Sequence, residues 1–252
     1  LSLVVDSMGR PVVAWSADHG INTRNQIYAS RFESMSWGEL ASPLVDDPTT
    51  NAGALATQMA MGMQDRPYVV WQEDRKVHAR RWEVNNWIDF VGAPIDSGNG
   101  NFSAFQPVIA IAPNGYMVMG WREATNQNST DVFVQRYNGS GFTVIADGVD
   151  VEPETNGRTN TLNLALTVDG QNRTIFAFDE PEETFGDTTN VHVFRHDVAG
   201  LAPLGTGIFD VNPGDTSARR PALTTDPLDR AIIAFTEDNG TSTEIHVWRY
   251  TD

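Results

Sequence analysis

Apolar positions along this chain alternate with polar ones or run in short blocks, and the blocks are bounded by Gly, Pro, Asn and Asp. Nothing longer than a turn carries apolar residues at three- and four-residue spacing, so the pattern predicts strands throughout and no helix. One stretch, Asp6–Trp15 (DSMGRPVVAW), returns in altered form at Gly62–Trp71, Ala112–Trp121, Asp169–Phe178 and Asp226–Phe235. Six residues before the closing aromatic, the copies hold Gly9, Asp65, Gly115, Asn172 and Asp229. Gly, Asn and Asp enter positive φ most readily, so each copy predicts a strand, a sharp turn and a second strand.

The repeat extends on both sides of that turn. Upstream, strand a keeps a large apolar residue twelve positions before the aromatic: Leu3, Met59, Ile109, Leu166 and Leu223. Strand b ends on Trp15, Trp71, Trp121, Phe178 and Phe235, each preceded by a small or slender residue. Strand c reads aliphatic, ring, x, x, Arg, ring: IYASRF (27–32), VHARRW (77–82), VFVQRY (132–137), VHVFRH (191–196) and IHVWRY (245–250). Strand d opens five residues later at Trp37, Trp87, Phe142 and Leu201. The strand-b aromatics lie 56, 50, 57 and 57 residues apart. Four antiparallel strands per unit of that length predict an all-β fold, a β-propeller of about five four-stranded antiparallel blades, the last blade lacking its outer strand. Residues 1–252 then form a single propeller domain with repeats at about 1–54, 55–106, 107–161, 162–220 and 221–252.

Successive hairpins of an up-and-down blade alternate ends. The a–b and c–d turns share one face and are nearly constant in length; the b–c and d–a connections share the other and vary. Length freedom at one end of a rigid scaffold marks that end as the functional face. Its carboxylates Asp18, Glu73, Asp74, Glu123, Glu180, Glu237 and Asp238 are the candidate ligand-binding residues. Glu182, Glu183 and Asp187, in the longest b–c loop, form the densest carboxylate cluster and are a candidate Ca2+ site, calcium being the one cofactor the sequence suggests.

Repetition argues against catalysis by several other residues. Arg31, Arg81, Arg136, Arg195 and Arg249 fill one strand-c slot in every unit, which fits a structural role better than an asymmetric substrate clamp. His78, His192 and His246 share a slot with Tyr28 and Phe133 and read as ring fillers rather than metal ligands. The chain contains no GxSxG, no Gly-rich phosphate loop and no EF-hand loop.

Composition narrows the partners. The formal net charge is -16, and Lys76 is the one lysine among seventeen basic residues, so a phosphate backbone is repelled and nucleic acid is not expected. The absence of cysteine leaves stability to packing between repeats. No run is apolar enough for membrane insertion, and the chain enters a strand at once, as a mature secreted protein or a piece of a longer polypeptide would.

The turn D-x-x-G-x-P-V-V-A-W, the strand I-Y-x-x-R-F and the S-W opening of strand d resemble the repeats of bacterial secreted and cell-surface β-propellers, of which sialidase-like and NHL-like propellers are the nearest named relatives. The Asp-box S-x-D-x-G-x-x-W is not met, since Asp6 and Gly9 stand one residue too far apart. The resemblance implies a secreted, periplasmic or cell-surface location and a non-catalytic module that binds a protein or glycan on a cell surface or in an extracellular assembly. A sialidase-like glycoside hydrolase and a carbohydrate-binding lectin are the alternatives.

Overall fold

Each repeat folds into one sheet because its turn is pinned by specific atoms. The structure, a computed structural model, describes residues 1–18, 25–41, 43–44, 53–90, 95–96, 103–125, 129–151, 160–181, 188–209 and 216–251. All five expected turn residues have positive φ: Gly9 76°, Asp65 57°, Gly115 84°, Asn172 63° and Asp229 60°. Three turns add a carboxylate clasp. Asp6 accepts hydrogen bonds from the Met8 and Arg10 amides at 3.0 and 2.9 Å and from Arg10 Nε at 2.7 Å. Asp169 repeats this with Gln171 and Arg173, and Asp226 with Leu228 and Arg230. Backbone donors that a tight turn leaves over are thereby satisfied.

The strands are those the spacing predicts. The first sheet is β1 (Ser2–Val5), β2 (Pro11–Asp18), β3 (Asn25–Glu33) and β4 (Ser36–Glu39). The second is β5 (Leu55–Met61), β6 (Pro67–Glu73), β7 (Lys76–Glu83) and β8 (Asn86–Asp89). The third is β9 (Ala104–Ile111), β10 (Met117–Ala124), β11 (Thr130–Tyr137) and β12 (Phe142–Val149). The fourth is β13 (Leu162–Val168), β14 (Thr174–Pro181), β15 (Thr189–Asp197) and β16 (Gly200–Phe209). The fifth has three strands, β17 (Ser217–Thr225), β18 (Ala231–Asp238) and β19 (Thr243–Arg249). Every sheet is an antiparallel meander in sequence order. The third and fifth sheets begin at Ala104 and Ser217, a few residues before the repeat bounds at 107 and 221, because each first strand continues through a β-bulge.

Ring slots on strands b and c face each other across each pair. Trp15 stacks on Tyr28, Trp71 on His78 and Trp121 on Phe133, while His192 and His246 lie against Phe178 and Phe235. The histidines are therefore the ring fillers their alignment suggested. Between sheets, the ring and strand-a residues of one blade pack on the aliphatic strand-c pair of the blade before it. Trp71 and Met59 join Ile27 and Ala29; Trp121 joins Val77 and Ala79; Phe178 joins Val132 and Val134; Phe235 joins Val191 and Val193.

Turns are tied to turns as well. The Asp65 carboxylate accepts from the Ser7 amide and hydroxyl at 2.7 Å each, Asn172 Oδ1 from the Asn114 amide at 3.0 Å, and Asp229 Oδ1 from the Gly170 amide at 2.7 Å. Asp or Asn at positive φ thus reaches back to the preceding blade, which glycine does not. The repeated arginines tie blades together on the same face: Arg31 donates to the Asp65 carbonyl at 3.4 Å, and Arg136 to the Asn172 carbonyl and Thr174 Oγ1 at 2.8 Å each.

Candidate functional site

The first strands of the second to fifth sheets, with Leu1 and Ser16 of the first repeat, surround one cavity of about 570 Å3 on the face of the b–c and d–a connections. Its walls come from β-bulges at the same point of four strands. The residue fifteen before each strand-b aromatic is Ala56, Gln106, Asn163 or Arg220, and these have φ of 52°, 46°, 29° and 55°. The ladders slip there, between Leu55 and Gln58, Phe105 and Val108, Leu162 and Ala165, and Arg219 and Ala222. A bulge re-aims the side chain it carries, and non-glycine residues at positive φ are costly enough to cluster where function needs them. All four bulged residues line the cavity.

Strand b contributes one residue past the aromatic, Ser16, Gln72, Arg122, Asp179 and Thr236, of which Ser16 lines the cavity and Arg122, Asp179 and Thr236 bond to the bulged strands. Ser16 Oγ donates to the Ala54 carbonyl at 2.7 Å, and Thr236 Oγ1 to the Arg219 carbonyl at 3.1 Å. Arg122 holds Gln106 Oε1 at 2.7 Å and also donates to the Thr161 carbonyl. Asn163 Nδ2 donates to Asp179 Oδ2 at 3.0 Å. Asp179 is fully buried, and its Oδ1 has no hydrogen-bond partner. Burial is the largest influence on this carboxyl and raises its pKa above the usual value, against the Asn163 hydrogen bond, adjacent backbone amides and the Arg219 charge. Burial likewise lowers the pKa of Arg122, with the charge of Asp179 opposing. The result is an amide- and hydroxyl-lined chamber with one exposed guanidinium, Arg220, and a carboxyl of raised pKa bonded to Asn163 in its wall.

The carboxylates singled out from sequence lie elsewhere on this face. Glu73 and Glu123 are buried and accept from the indole Nε1 of Trp71 and Trp121 at 2.8 and 2.9 Å. Glu180 is buried and accepts from the Val151 amide at 3.1 Å, with His192 Nε2 at 3.9 Å. Glu237 accepts from Thr216 Oγ1 at 2.5 Å and lies 3.6 Å from His246 Nε2. These four occupy one slot of the repeat and are not brought together. Asp18, Asp74 and Asp238 are exposed at the strand ends, and Asp238 Oδ1 accepts from the Gly240 amide at 2.8 Å. The candidate Ca2+ cluster Glu182, Glu183 and Asp187 lies outside the described residues, and no group of three His, Asp or Glu suited to a metal occurs among the described ones. No described helix is long and apolar enough to cross a membrane.

The cavity residues escape a search for recurring side chains because they are where the copies differ. Read down the two slots, Ala, Gln, Asn, Arg and Ser, Gln, Arg, Asp, Thr are all unlike, whereas the neighbouring strand-b aromatic and the strand-c Arg repeat. Dissimilarity at a fixed slot was the available signal.

No family model matches the chain, and no curated protein matches it. Solved structures do. An ulvan lyase, described as a new family of polysaccharide lyase and bound to -[GlcA(1-4)Rha3S]-, superposes with a TM-score of 0.65 at 12% identity over 99% of this chain and 66% of its own. The α-L-arabinanase of Penicillium chrysogenum, complexed with arabinobiose, gives 0.57 at 12% over 95% and 77%. The endo-arabinase of Bacteroides thetaiotaomicron gives 0.53 at 8% over 99% and 93%. The fold is a β-propeller.

That fold resemblance supports the propeller part of the sequence reading and gives none to its sialidase or NHL part. It also corrects the expectation of a non-catalytic module, since the architecture is shared with enzymes named for cutting polysaccharides. The physical reason is that a catalytic set on a repeat scaffold would consist of single departures from the repeat, whereas recurring residues are what a repeat makes visible.

Proposed function

We propose that this propeller is a carbohydrate-active enzyme that cleaves glycosidic bonds of a polysaccharide at the axial cavity. The observation that carries the reading is the convergence of four bulged strands, each offering a different side chain, on one polar chamber backed by Asp179. Amides and hydroxyls are the natural partners of sugar hydroxyls, and the Arg220 fork suits a carboxylate or sulfate on the sugar. Asp179 is the proton carrier. Its burial favours the protonated acid above the pH where an exposed carboxyl has ionised, which is the state needed to donate to a leaving glycosidic oxygen. Asn163 lines the chamber and orients that acid by donating to its Oδ2, which leaves Oδ1 as the oxygen that carries the proton.

The test is incubation with a panel of plant and algal polysaccharides that includes arabinan and ulvan, reading new reducing ends for hydrolysis and ultraviolet absorbance of unsaturated uronate ends for elimination. Asp179→Asn is expected to lower kcat by about 100-fold or more, the usual worth of a positioned proton donor. Arg220→Ala is expected to raise KM. Wild-type rates in the Asp179→Asn variant, or no cleavage of any polymer by the native chain, would sink the reading.

A further inference from the structure

We propose that the cleft between the second and third sheets, on the face opposite the axial cavity's mouth, is a second saccharide-binding site. The cleft encloses about 270 Å3, near the lower end of ligand pockets at roughly 300 Å3 and suited to one sugar unit. Tyr68 and Phe90, 5% and 6% exposed, form its floor with Tyr137, with centroids 5.8 Å apart for Tyr68–Phe90 and 4.8 Å for Phe90–Tyr137. Tyr116, 39% exposed, stands at the rim beside Gln64 and Asn114. Arg81 lies over the Tyr68 and Phe90 rings at 5.7 Å each and, like Arg66, is paired with Glu83. With Arg81 covering the floor rings, Tyr116 is the ring open to the flat C–H-rich face of a sugar, while the Gln64 and Asn114 amides beside it meet the hydroxyls.

Like the cavity, this cleft is built from departures from the repeat. Tyr116 stands in a slot that is Arg10, Arg66, Arg173 and Arg230 in the other blades. Tyr68 replaces Val12, Val118, Ile175 and Ile232, and Phe90 replaces Leu40, Ile145 and Leu204. The clefts of neighbouring blades carry arginines and carboxylates as this one does, Arg10, Arg31 and Glu33 in one case and Arg136, Arg173 and Asp197 in another, but no tyrosine lines either. The 2/3 junction also differs in its turn. Asp65, Asn172 and Asp229 bond back to the preceding turn, but the equivalent residue here is Gly115, which has no side chain to do so. A Cβ there would approach Met63 Sδ to 2.7 Å, so a side chain at this turn would push Met63 aside at the cleft.

Two properties make the site separable from the proposed catalysis: it lies on the other face, and its residues take no part in the cavity. The experiment is hydrogen–deuterium exchange of the native chain with and without arabinan or ulvan, the neutral and anionic probes, backed by gel retardation in the same polymers. Binding at the cleft is expected to protect 62–68 and 112–118, with Tyr116→Ala weakening retardation at least tenfold at an unchanged melting temperature. Tyr116→Phe and Arg220→Ala are expected to keep that protection. Gly115→Asn, which fills the mouth at a φ that Asn tolerates, is expected to abolish it. Protection confined to 162–165 and 218–222, protection that survives both Tyr116→Ala and Gly115→Asn, or none with either polymer would each overturn the proposal.

Discussion

The same pair of aliphatic residues on strand c meets two environments in this molecule. In the first four blades it is Ile27 and Ala29, Val77 and Ala79, Val132 and Val134, Val191 and Val193, all between 0% and 2% exposed. In the fifth it is Ile245 and Val247, exposed at 76% and 64%. The opposite end mirrors this. Leu3 on β1 is 55% exposed, while Met59 in the same slot of the second sheet is 7%. The repeat slot is held constant, and what the exposed copies lack is neighbours: an adjoining blade in both cases and, beside β19, a fourth strand. A single four-stranded sheet covers neither of its faces; each is covered by the next wedge, as nearest-neighbour stabilisation of a repeat architecture requires.

The sharpest way to break that comparison is a charge placed in the two environments. Val193→Asp buries a carboxylate between the fourth and fifth sheets, among Ile175, Ile233 and Phe235, with no partner for it. A loss of about 3–5 kcal/mol is expected from an uncompensated buried charge, read as the change in urea midpoint at constant m. A loss under about 1 kcal/mol would mean that the interface opens to water and that burial there is not what stabilises the blade.

A smaller effect separates devices that need a neighbour from devices that do not. The Asp–Arg clasp lies within one turn, so the fifth blade has it as fully as the first and fourth. The hydrogen bond from Arg230 is the leading cause that lowers the Asp226 pKa from 3.8 to about 2. A carboxylate with a depressed folded-state pKa stabilises the fold above its unfolded pKa, near 4. That contribution is lost as pH falls from about 4 to 2. Asp226→Asn is therefore expected to flatten the dependence of the urea midpoint on pH in that window. It should leave the window above pH 5 parallel to wild type. Asp179 carries the opposite sign: its raised pKa makes the native state bind its proton more tightly, so its contribution falls as pH rises above about 4. Asp179→Asn removes that fall, and an unchanged slope would show that the carboxyl is not buried in solution.

These contrasts also explain what could be read from the chain before its structure. What recurs as a residue type was legible: nineteen strands among the described residues, the positive-φ turns, the histidines in a ring slot, and the three-stranded last blade. Five noisy copies of one rule reinforce one another. The bulges were not legible, because Ala56, Gln106, Asn163 and Arg220 share no residue preference for positive φ; the ladder of the adjoining strand imposes it. Glu73 and Glu123 were visible as a repeated carboxylate, but their hydrogen bonds to Trp71 and Trp121 depend on which way the strand end turns. Nor does sequence spacing show that Gln106, Asn163 and Arg220 converge, since they stand 57 residues apart and meet only because the sheets share an axis.

The smallest expected effect is the most informative one about the fifth blade. Val247→Asp makes the same chemical change as Val193→Asp in the same strand-c slot, but on the bare face of β18 and β19. An exposed carboxylate there keeps its hydration, leaves no cavity and lies away from any packed ring, so the change in stability is expected within about 0.5 kcal/mol. The exposed Val side chain contributes little by burial, and Asp is less favourable than Val in a strand by up to about 1 kcal/mol on the β scale, an effect muted at an edge strand such as β19. Equilibrium urea unfolding of the two variants side by side reads the difference directly. A loss at Val247 comparable with that at Val193 would mean that this face is covered in solution, and the contrast between end and interior blades would then fail at its origin.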